Sequence, residues 1–334
     1  NWPRKPSKDF SPLPGRKPYK RRDRSRPNFG NRTRAAGNPP AALQYSPERG
    51  SGGVAYIPHR RGFRKGKDSK DRTMRNGWFI SGMLLWGMLL GAAPAQSREP
   101  AAVRVMTYNI QYGNGASLEE IAALIREQNP DFVALQEVDC KTRREYVSAR
   151  QHGKDFITEL GQLTGMFPLY GKTIPLTGGF YGIGILSSRP CIRTEKTMLP
   201  KADGNEEARA LLLAEVELGD ADTIVFACTH IDFTTPQTRM QQCRTVAERL
   251  SAERYPVIVG GDFNSLPGSP EIGTFGSWAK LCPAGPTHPA DAPRMQIDYL
   301  WGYPASAWKL QRSQILPVTL SDHRPIVSEV ELLR

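Results

Sequence analysis

Residues 255–271 read YPVIVGGDFNSLPGSPE. Val257, Ile258 and Val259 make the short β-branched run that a buried central strand needs, and Gly260 and Gly261 end it. Asp262 and Asn264 follow on alternate positions. At period 2 their side chains leave the strand end on one side, while Phe263 turns the other way into the core. Ser265, Pro267, Gly268 and Pro270 cannot continue a strand, so a loop is expected after Asn264. An acid and an amide presented together at the lip of a sheet suit a metal and a phosphate. For Asp-x-Asn alone, an Asx-rich turn is the plain structural alternative.

The rest of the chain supplies the context. Its 334 residues carry a net charge of +12, which at first sight points to nucleic acid. The charge is not evenly spread, however. Residues 1–75 hold 21 Lys and Arg against 5 Asp and Glu, which leaves 24 against 28 in residues 76–334. A mildly acidic body argues against broad electrostatic capture of a DNA duplex.

Residues 1–73 are rich in Pro, Arg, Lys, Gly and Ser and have no hydrophobic period, so they read as a disordered basic segment. A basic arm for RNA or anionic lipid is the functional alternative. A third reading places the segment upstream of a translation start at Met74. From there MRNGWFISGMLLWGMLLGAAPAQS has the anatomy of a signal peptide over 74–95: Arg75, an apolar run from Trp78 to Leu90, and Ala93-Pro94-Ala95. Cleavage before Gln96 would give a secreted or periplasmic domain over 96–334. If the basic arm is genuine, residues 78–95 become a membrane anchor instead. The five cysteines, Cys140, Cys191, Cys228, Cys243 and Cys282, are odd in number and show no Cys-x-x-Cys, which disfavours zinc and thioredoxin chemistry. One disulfide is compatible with the count, and Cys228 reads as a small buried hydrophobe.

From Val103 onward strands and helices are interspersed. Strands are expected at 103–108, 131–136, 169–174, 182–187, 191–198, 210–217, 223–229, 257–260, 297–301, 308–315 and 326–330. Helices are expected at 117–128, 154–164 and 235–251, the first opened by a capping box of Ser117 and Glu120. More strands than helices imply an α/β fold: a four-layer α-β-β-α sandwich of two packed mixed sheets with outer helices.

Polar residues recur where these strands end. They are Asn109 in TYNI, Glu137 in LQEVD, His230 in THID, Asp262 and Asn264 in GGDFNSLP, Asp298 in IDYLW, and Asp322 with His323 in SDHRP. Glu137 follows an apolar run that leaves it at a strand end, where a lone carboxylate is costly unless paired or bound to metal. Singly, each has a dull explanation, such as a turn cap or a satisfied core histidine. Together, in this order, they resemble the endonuclease/exonuclease/phosphatase superfamily over about Val103 to Val330.

The resemblance implies roles. Glu137 is implied as the principal ligand of a divalent cation, Mg²⁺ or in its place Mn²⁺, with Asn109 and Asp322 adjoining. Asp262 is implied to orient or deprotonate the attacking water, and Asn264 to donate to a phosphate oxygen. His323, oriented by Asp298, would face the phosphoryl group, and His230 would stabilise developing negative charge. Arg209 in EARALL is a candidate phosphate contact, with a surface arginine as its alternative. Ile183 stands where the family often carries Asn, so that polar contact is missing, and His288 reads as a loop histidine. The implied activity is exported, Mg²⁺-dependent phosphoester hydrolysis by in-line attack. The loop expected between Tyr170 and Tyr181 carries one basic residue, Lys172. This favours a small, sugar or lipid-headgroup ester over nucleic acid, with no protein partner implied. A metal-dependent endonuclease acting on DNA or RNA, and a catalytically silent binding protein, are the alternatives.

Overall fold

The computed structural model describes residues 101–333 apart from 203, 205, 220 and 221. The basic segment, the signal run with its alternative anchor, and residues 96–100 of the expected domain lie outside the described residues.

The first strands are β1 (Ala101–Asn109), β2 (Phe132–Cys140), β3 (Phe167–Leu176), β4 (Gly179–Ser187), β5 (Arg193–Met198) and β6 (Ala210–Glu217). They are followed by β7 (Thr223–His230), β8 (Val257–Asp262), β9 (Ala279–Lys280), β10 (Asp298–Tyr303), β11 (Trp308–Ile315) and β12 (Ile326–Leu332). The helices are α1 (Leu118–Gln128), α2 (Phe156–Thr164), α3 (Pro236–Ser251) and the single turn α4 (Pro270–Gly273). One sheet runs β11-β12-β1-β2-β4-β3 and the other β5-β6-β7-β8-β10-β9. Each sheet has a parallel pair at its centre, β1 with β2 and β7 with β8, and antiparallel neighbours elsewhere. Both parallel pairs are joined by a crossover helix, α1 or α3, as parallel strands require. The expected α-β-β-α sandwich is the observed fold.

Local chemistry sets the helix ends. The Ser117 Oγ accepts from Glu120 N at 3.3 Å while Glu120 Oε2 accepts from Ser117 N at 2.8 Å, so the capping box forms. Asp155 caps α2 and Thr235 caps α3, where Pro236 fits the first turn without losing a hydrogen bond.

Alternation along the strands divides the core into two. Val105, Phe132 and Ala134 face the opposite sheet and join the cluster of Phe226, Val257, Val259 and Leu300; Phe132 stacks on Phe226 with ring centroids 5.1 Å apart. Met106, Tyr108, Val133 and Leu135 face the other way and pack under Leu118, Ile121, Ile125 and Leu160 of the helices. The strands expected at 169–174 and 182–187 are β3 and β4, which extend toward each other and pair as a hairpin turning at Thr177-Gly178, so little of the loop expected between Tyr170 and Tyr181 remains. All five cysteines are free, and Cys228 is fully buried. Among the described residues no helix is long and apolar enough to cross a membrane.

The sheets approach closely at Gly260. A Cβ there would lie 3.0 Å from Leu300 Cδ2 and 3.1 Å from the Cβ atoms of Ala134 and Thr107, the last two on the facing sheet. Gly260→Ala should therefore lower stability by about 1–3 kcal/mol through overpacking. In urea unfolding this appears as a lower midpoint at constant slope. An unchanged midpoint would show that the sheets have slack at this point.

Candidate active site

The carboxyl ends of both parallel pairs open on the same edge of the sandwich, and strand register assembles the residues there. His230, the last residue of β7, is paired with Asp262, the last of β8, and Asp262 is paired on its other side with Asp298, the first of β10. Three polar side chains from one sheet therefore stand in a row. Asn109 ends β1 on the facing sheet, and its Nδ2 donates to Asp262 Oδ2 at 3.1 Å and to Glu137 Oε1 at 3.0 Å.

Two of these residues arrive by routes that simple alternation does not give. Val133 and Leu135 face the helices, so period 2 would send Glu137 there too. Instead β2 continues past it through a bulge between Leu135 and Val138, and Glu137 takes φ 59°. Val138 fills the helix-facing place, and the carboxylate swings to Asn109. The sequence expectation of a strand end at Glu137 is corrected accordingly. Similarly, β8 stops at Asp262, and Asn264 lies beyond it at φ 46°. Its N–H donates to Asp262 Oδ1 at 2.9 Å, an Asx turn that sets its side chain beside His230. The Asx turn, the plain structural alternative, is present, and it also leaves both side chains at the lip of the sheet. Phe263 is fully buried, as expected.

The segment between β11 and β12 supplies the remaining groups. Ser321 Oγ donates to the Asn109 carbonyl at 2.7 Å and accepts from His323 N at 3.3 Å. His323 Nδ1 lies 2.9 Å from Asp298 Oδ2, and its Nε2 lies 3.6 Å from Asp262 Oδ2. Burial alone would depress this imidazolium, but Asp298 and Asp262 overcome it and raise the pKa to about 10. The Asp262 carboxyl is raised by burial and by the Asp298 charge, against the pull of His323. Thr287 Oγ1 steadies the start of β10 by accepting from Ile297 N and Asp298 N at 3.3 and 3.4 Å.

Arg209 is buried, which removes the surface alternative. Its Nη1 is 2.8 Å from His230 Nδ1. Arginine has no acceptor, so Nδ1 must be bare and the proton of a neutral imidazole must sit on Nε2. Burial first, then the Arg209 charge, push the His230 pKa well below its ordinary value. His230 is thus held as a neutral Nε2–H donor. With that proton in place, Asn264 Nδ2 donates to Ile231 O at 3.0 Å rather than to the ring.

A divalent cation fits the donor set. Glu137 and Asp322 are both partly exposed at this edge, and burial raises the Glu137 carboxyl although the Asn109 amide favours its charged form. Asp322 Oδ2 accepts from Gln111 Nε2 at 2.9 Å. One buried oxygen, Asp298 Oδ1, has no hydrogen-bond partner. Four carboxylates stand beside one imidazolium here, an oxygen-rich and charge-deficient arrangement that suits a hard ion. Asn109 presents its amide nitrogen to Glu137, because its Oδ1 accepts from Gln111 N at 3.0 Å. It stands as a donor between carboxylates rather than an oxygen ligand.

Some neighbours had no role in the sequence reading. Gln111 holds Asp322, and its place two residues after Asn109 was the available signal. His288, read as a loop histidine, packs its ring on His323 with centroids 4.6 Å apart, and its ligand atom clusters with those of Asp322 and His323. Ile183 is buried and apolar, so that strand contributes no polar contact.

The sequence model of the Endonuclease/Exonuclease/phosphatase family matches residues 106–323. Among solved structures, an endonuclease/exonuclease/phosphatase of Beutenbergia cavernae is 24% identical, with TM-score 0.58, over 70% of this chain and 72% of that one. A mannosyl-6-phosphatase of Bacteroides thetaiotaomicron is 16% identical, with TM-score 0.56, over 68% of this chain and 99% of that one. The catalytic domain of human Nocturnin, with bound sulfate, is 19% identical, with TM-score 0.54, over 70% of this chain and 96% of that one. At such identities the likeness is one of fold. No curated protein sequence matches the chain.

The Arg209–His230 pair predicts a tautomer. Nitrogen-15 NMR of the imidazoles should show His230 neutral, with its proton on Nε2, at pH values below the ordinary histidine pKa of 6.5. Arg209→Met removes a like charge and frees Nδ1, so the His230 titration should move upward. The unfolded chain binds a proton there that the folded chain refuses, so this residue's contribution to stability falls as pH drops below 6.5. An Nδ1–H signal in the unaltered protein would refute the assignment.

Proposed function

The chain belongs to the endonuclease/exonuclease/phosphatase family, and on that premise we propose that it hydrolyses a small, sugar or lipid-headgroup phosphate ester by direct attack of water, assisted by Mg²⁺ or Mn²⁺. Members of the family are hydrolases of phosphate esters, phosphatases and nucleases among them. The observation that carries the proposal is the position of Asp262. It lies in register between His230 and Asp298, and Asn109 ties it across the sheets to Glu137.

In this reading Asp262 accepts the proton of the attacking water, helped by a pKa that burial has raised toward the working range. His323, kept as an imidazolium by Asp298, and His230, kept as an Nε2–H donor by Arg209, face the phosphoryl oxygens where charge develops. Asn264 adds an amide donor beside them. Glu137 and Asp322 would hold the divalent cation, which when bound supplies positive charge to the phosphoryl and leaving oxygens. Arg209 then acts through His230 and not on phosphate. A sugar ester is among the candidates because one structure of the same fold is a mannosyl-6-phosphatase. Nucleic acid is disfavoured by the 24 basic against 28 acidic residues beyond position 75. Export belongs to the same proposal, supported by the Trp78–Leu90 run ahead of Ala93-Pro94-Ala95. Mass mapping should find the mature protein beginning at or near Gln96, and peptides from residues 1–73 in that product would count against it.

The deciding assay uses protein stripped of metal, then supplied with Mg²⁺ or Mn²⁺, on nitrophenyl phosphate, bis-nitrophenyl phosphate, inositol phosphates, sphingomyelin and plasmid DNA. Metal-dependent turnover confined to small or lipid esters is expected; efficient plasmid nicking would favour the nuclease. Glu137→Gln should weaken metal binding by more than the roughly 10–100-fold lost with an outer-shell partner, while the circular dichroism spectrum is unchanged. His323→Ala should lower kcat by about 10²–10⁴-fold, and a loss under about tenfold would remove it from the reaction.

A further inference from the structure

A second group of side chains stands beside Glu137 and is not used by the chemistry above. Arg144 lies in the connection between β2 and α2 and is buried. Its Nε and Nη2 grip Asp139 Oδ2 and Oδ1 at 2.7 and 2.9 Å, a bidentate pair. Its guanidinium carbon is 4.1 Å from the ring centroid of Tyr112 and 5.2 Å from that of Tyr181. Its remaining Nη1 donates to the Tyr146 hydroxyl at 2.7 Å. The guanidinium thus fixes an aromatic corner. The rings of Tyr112 and Tyr146 meet edge to face, with centroids 5.9 Å apart and planes at 82°.

Two features separate this corner from ordinary packing. Tyr146 is 66% exposed although its hydroxyl is held by a buried charge, so order has been built into a side chain that buries little. Gln111 and Tyr112 both adopt left-handed backbone, at φ 45° and 44°, as do Glu137 and Asn264 of the reaction site. Non-glycine residues in that region cost conformational energy and concentrate where function requires them. Tyr112 directly follows Gln111, whose Nε2 donates to Asp322 Oδ2 at 2.9 Å, and its ring meets that of Tyr146. Tyr112 therefore reaches from the carboxylates of the reaction site to the exposed ring of Tyr146.

We propose that the Tyr112–Tyr146 corner, braced by Arg144, binds the alcohol part of the substrate, and that this part is an uncharged polyhydroxylated ring, a sugar or a cyclitol. The proposal rests on the phosphoesterase reading of the adjoining site. Perpendicular rings cannot sandwich a flat base, which needs parallel plates, but they can take a puckered ring with its C–H bonds on one face. The Tyr146 oxygen accepts from Arg144, which leaves its own O–H to donate to a ring hydroxyl. A cationic headgroup is disfavoured, because the guanidinium already lies on the Tyr112 face and would repel a second cation.

The test compares Tyr146→Ala and Tyr146→Phe in the full chain on a hexose 6-phosphate and on glycerol phosphate, which has no ring. Tyr146→Ala should raise KM for the hexose phosphate about tenfold with kcat nearly unchanged, the signature of lost ground-state binding, and leave glycerol phosphate unaffected. Tyr146→Phe, which keeps the ring and loses only the hydroxyl, should fall between. Equal losses on both substrates, or a loss in kcat alone, would overturn the subsite. A larger effect on a nucleoside monophosphate than on the hexose ester would overturn the sugar assignment. Saturation-transfer NMR with methyl hexoside and myo-inositol reads the corner without any hydrolysis. Contact that Tyr146→Ala abolishes would uphold the corner even if the unaltered protein turned over no ester, in which case the phosphoesterase reading alone fails. No contact in the unaltered protein would remove the corner.

Discussion

The Asn109 amide is the point on which the site depends. One nitrogen donates to Glu137 of its own sheet and to Asp262 of the facing sheet, at 3.0 and 3.1 Å. Two buried or partly buried carboxylates that would repel each other are thereby held at a fixed separation across the interface of the sandwich. The orientation of the amide is itself imposed, since Gln111 N–H faces the oxygen and Ser321 Oγ grips the main-chain carbonyl. A single residue thus couples sheet packing, through the close approach at Gly260, to the geometry in which water and phosphate would meet. Displacing it would leave the carboxylates without their shared donor and would cost fold and chemistry together.

Much of this was legible in the sequence because it follows from local rules. The apolar runs of β1, β7 and β8 placed Asn109, His230 and Asp262 at strand ends, and the capping box of Ser117 and Glu120 marked where α1 begins. What was not legible depends on contacts distant in the chain. The bulge that turns Glu137 toward Asn109 is visible only once Val138 is seen packed under the helices. The left-handed turn at Asn264 looks from sequence like continued alternation. Arg209 reads as a phosphate contact or a surface cation until the fold buries it against His230, and the strands expected at 169–174 and 182–187 run on into a tight hairpin where the sequence reads as a loop.

The electrostatic design is one of deliberate imbalance. Two imidazoles at the site have their protonation set by opposite surroundings: Asp298 keeps His323 charged, and burial together with Arg209 keeps His230 neutral. Two histidines of one site therefore present different electrostatics, one a full charge and the other only a dipole. Neither relies on pH in the neutral range to select its state. The surplus of carboxylates over cations is left for an ion to complete.

The topology has a consequence for when activity can exist. The loop that carries Asp322 and His323 is held between β11 and β12, and β12 pairs along nearly its whole length with β1, from Ala101 with Leu332 to Thr107 with Ile326. The first strand of the sheet thus waits for the last before the edge of the site can close. A chain still emerging from the ribosome holds Glu137, His230 and Asp262 but not the group that faces them. The constellation is therefore complete only when the whole fold is, and no partly made chain holds all of it.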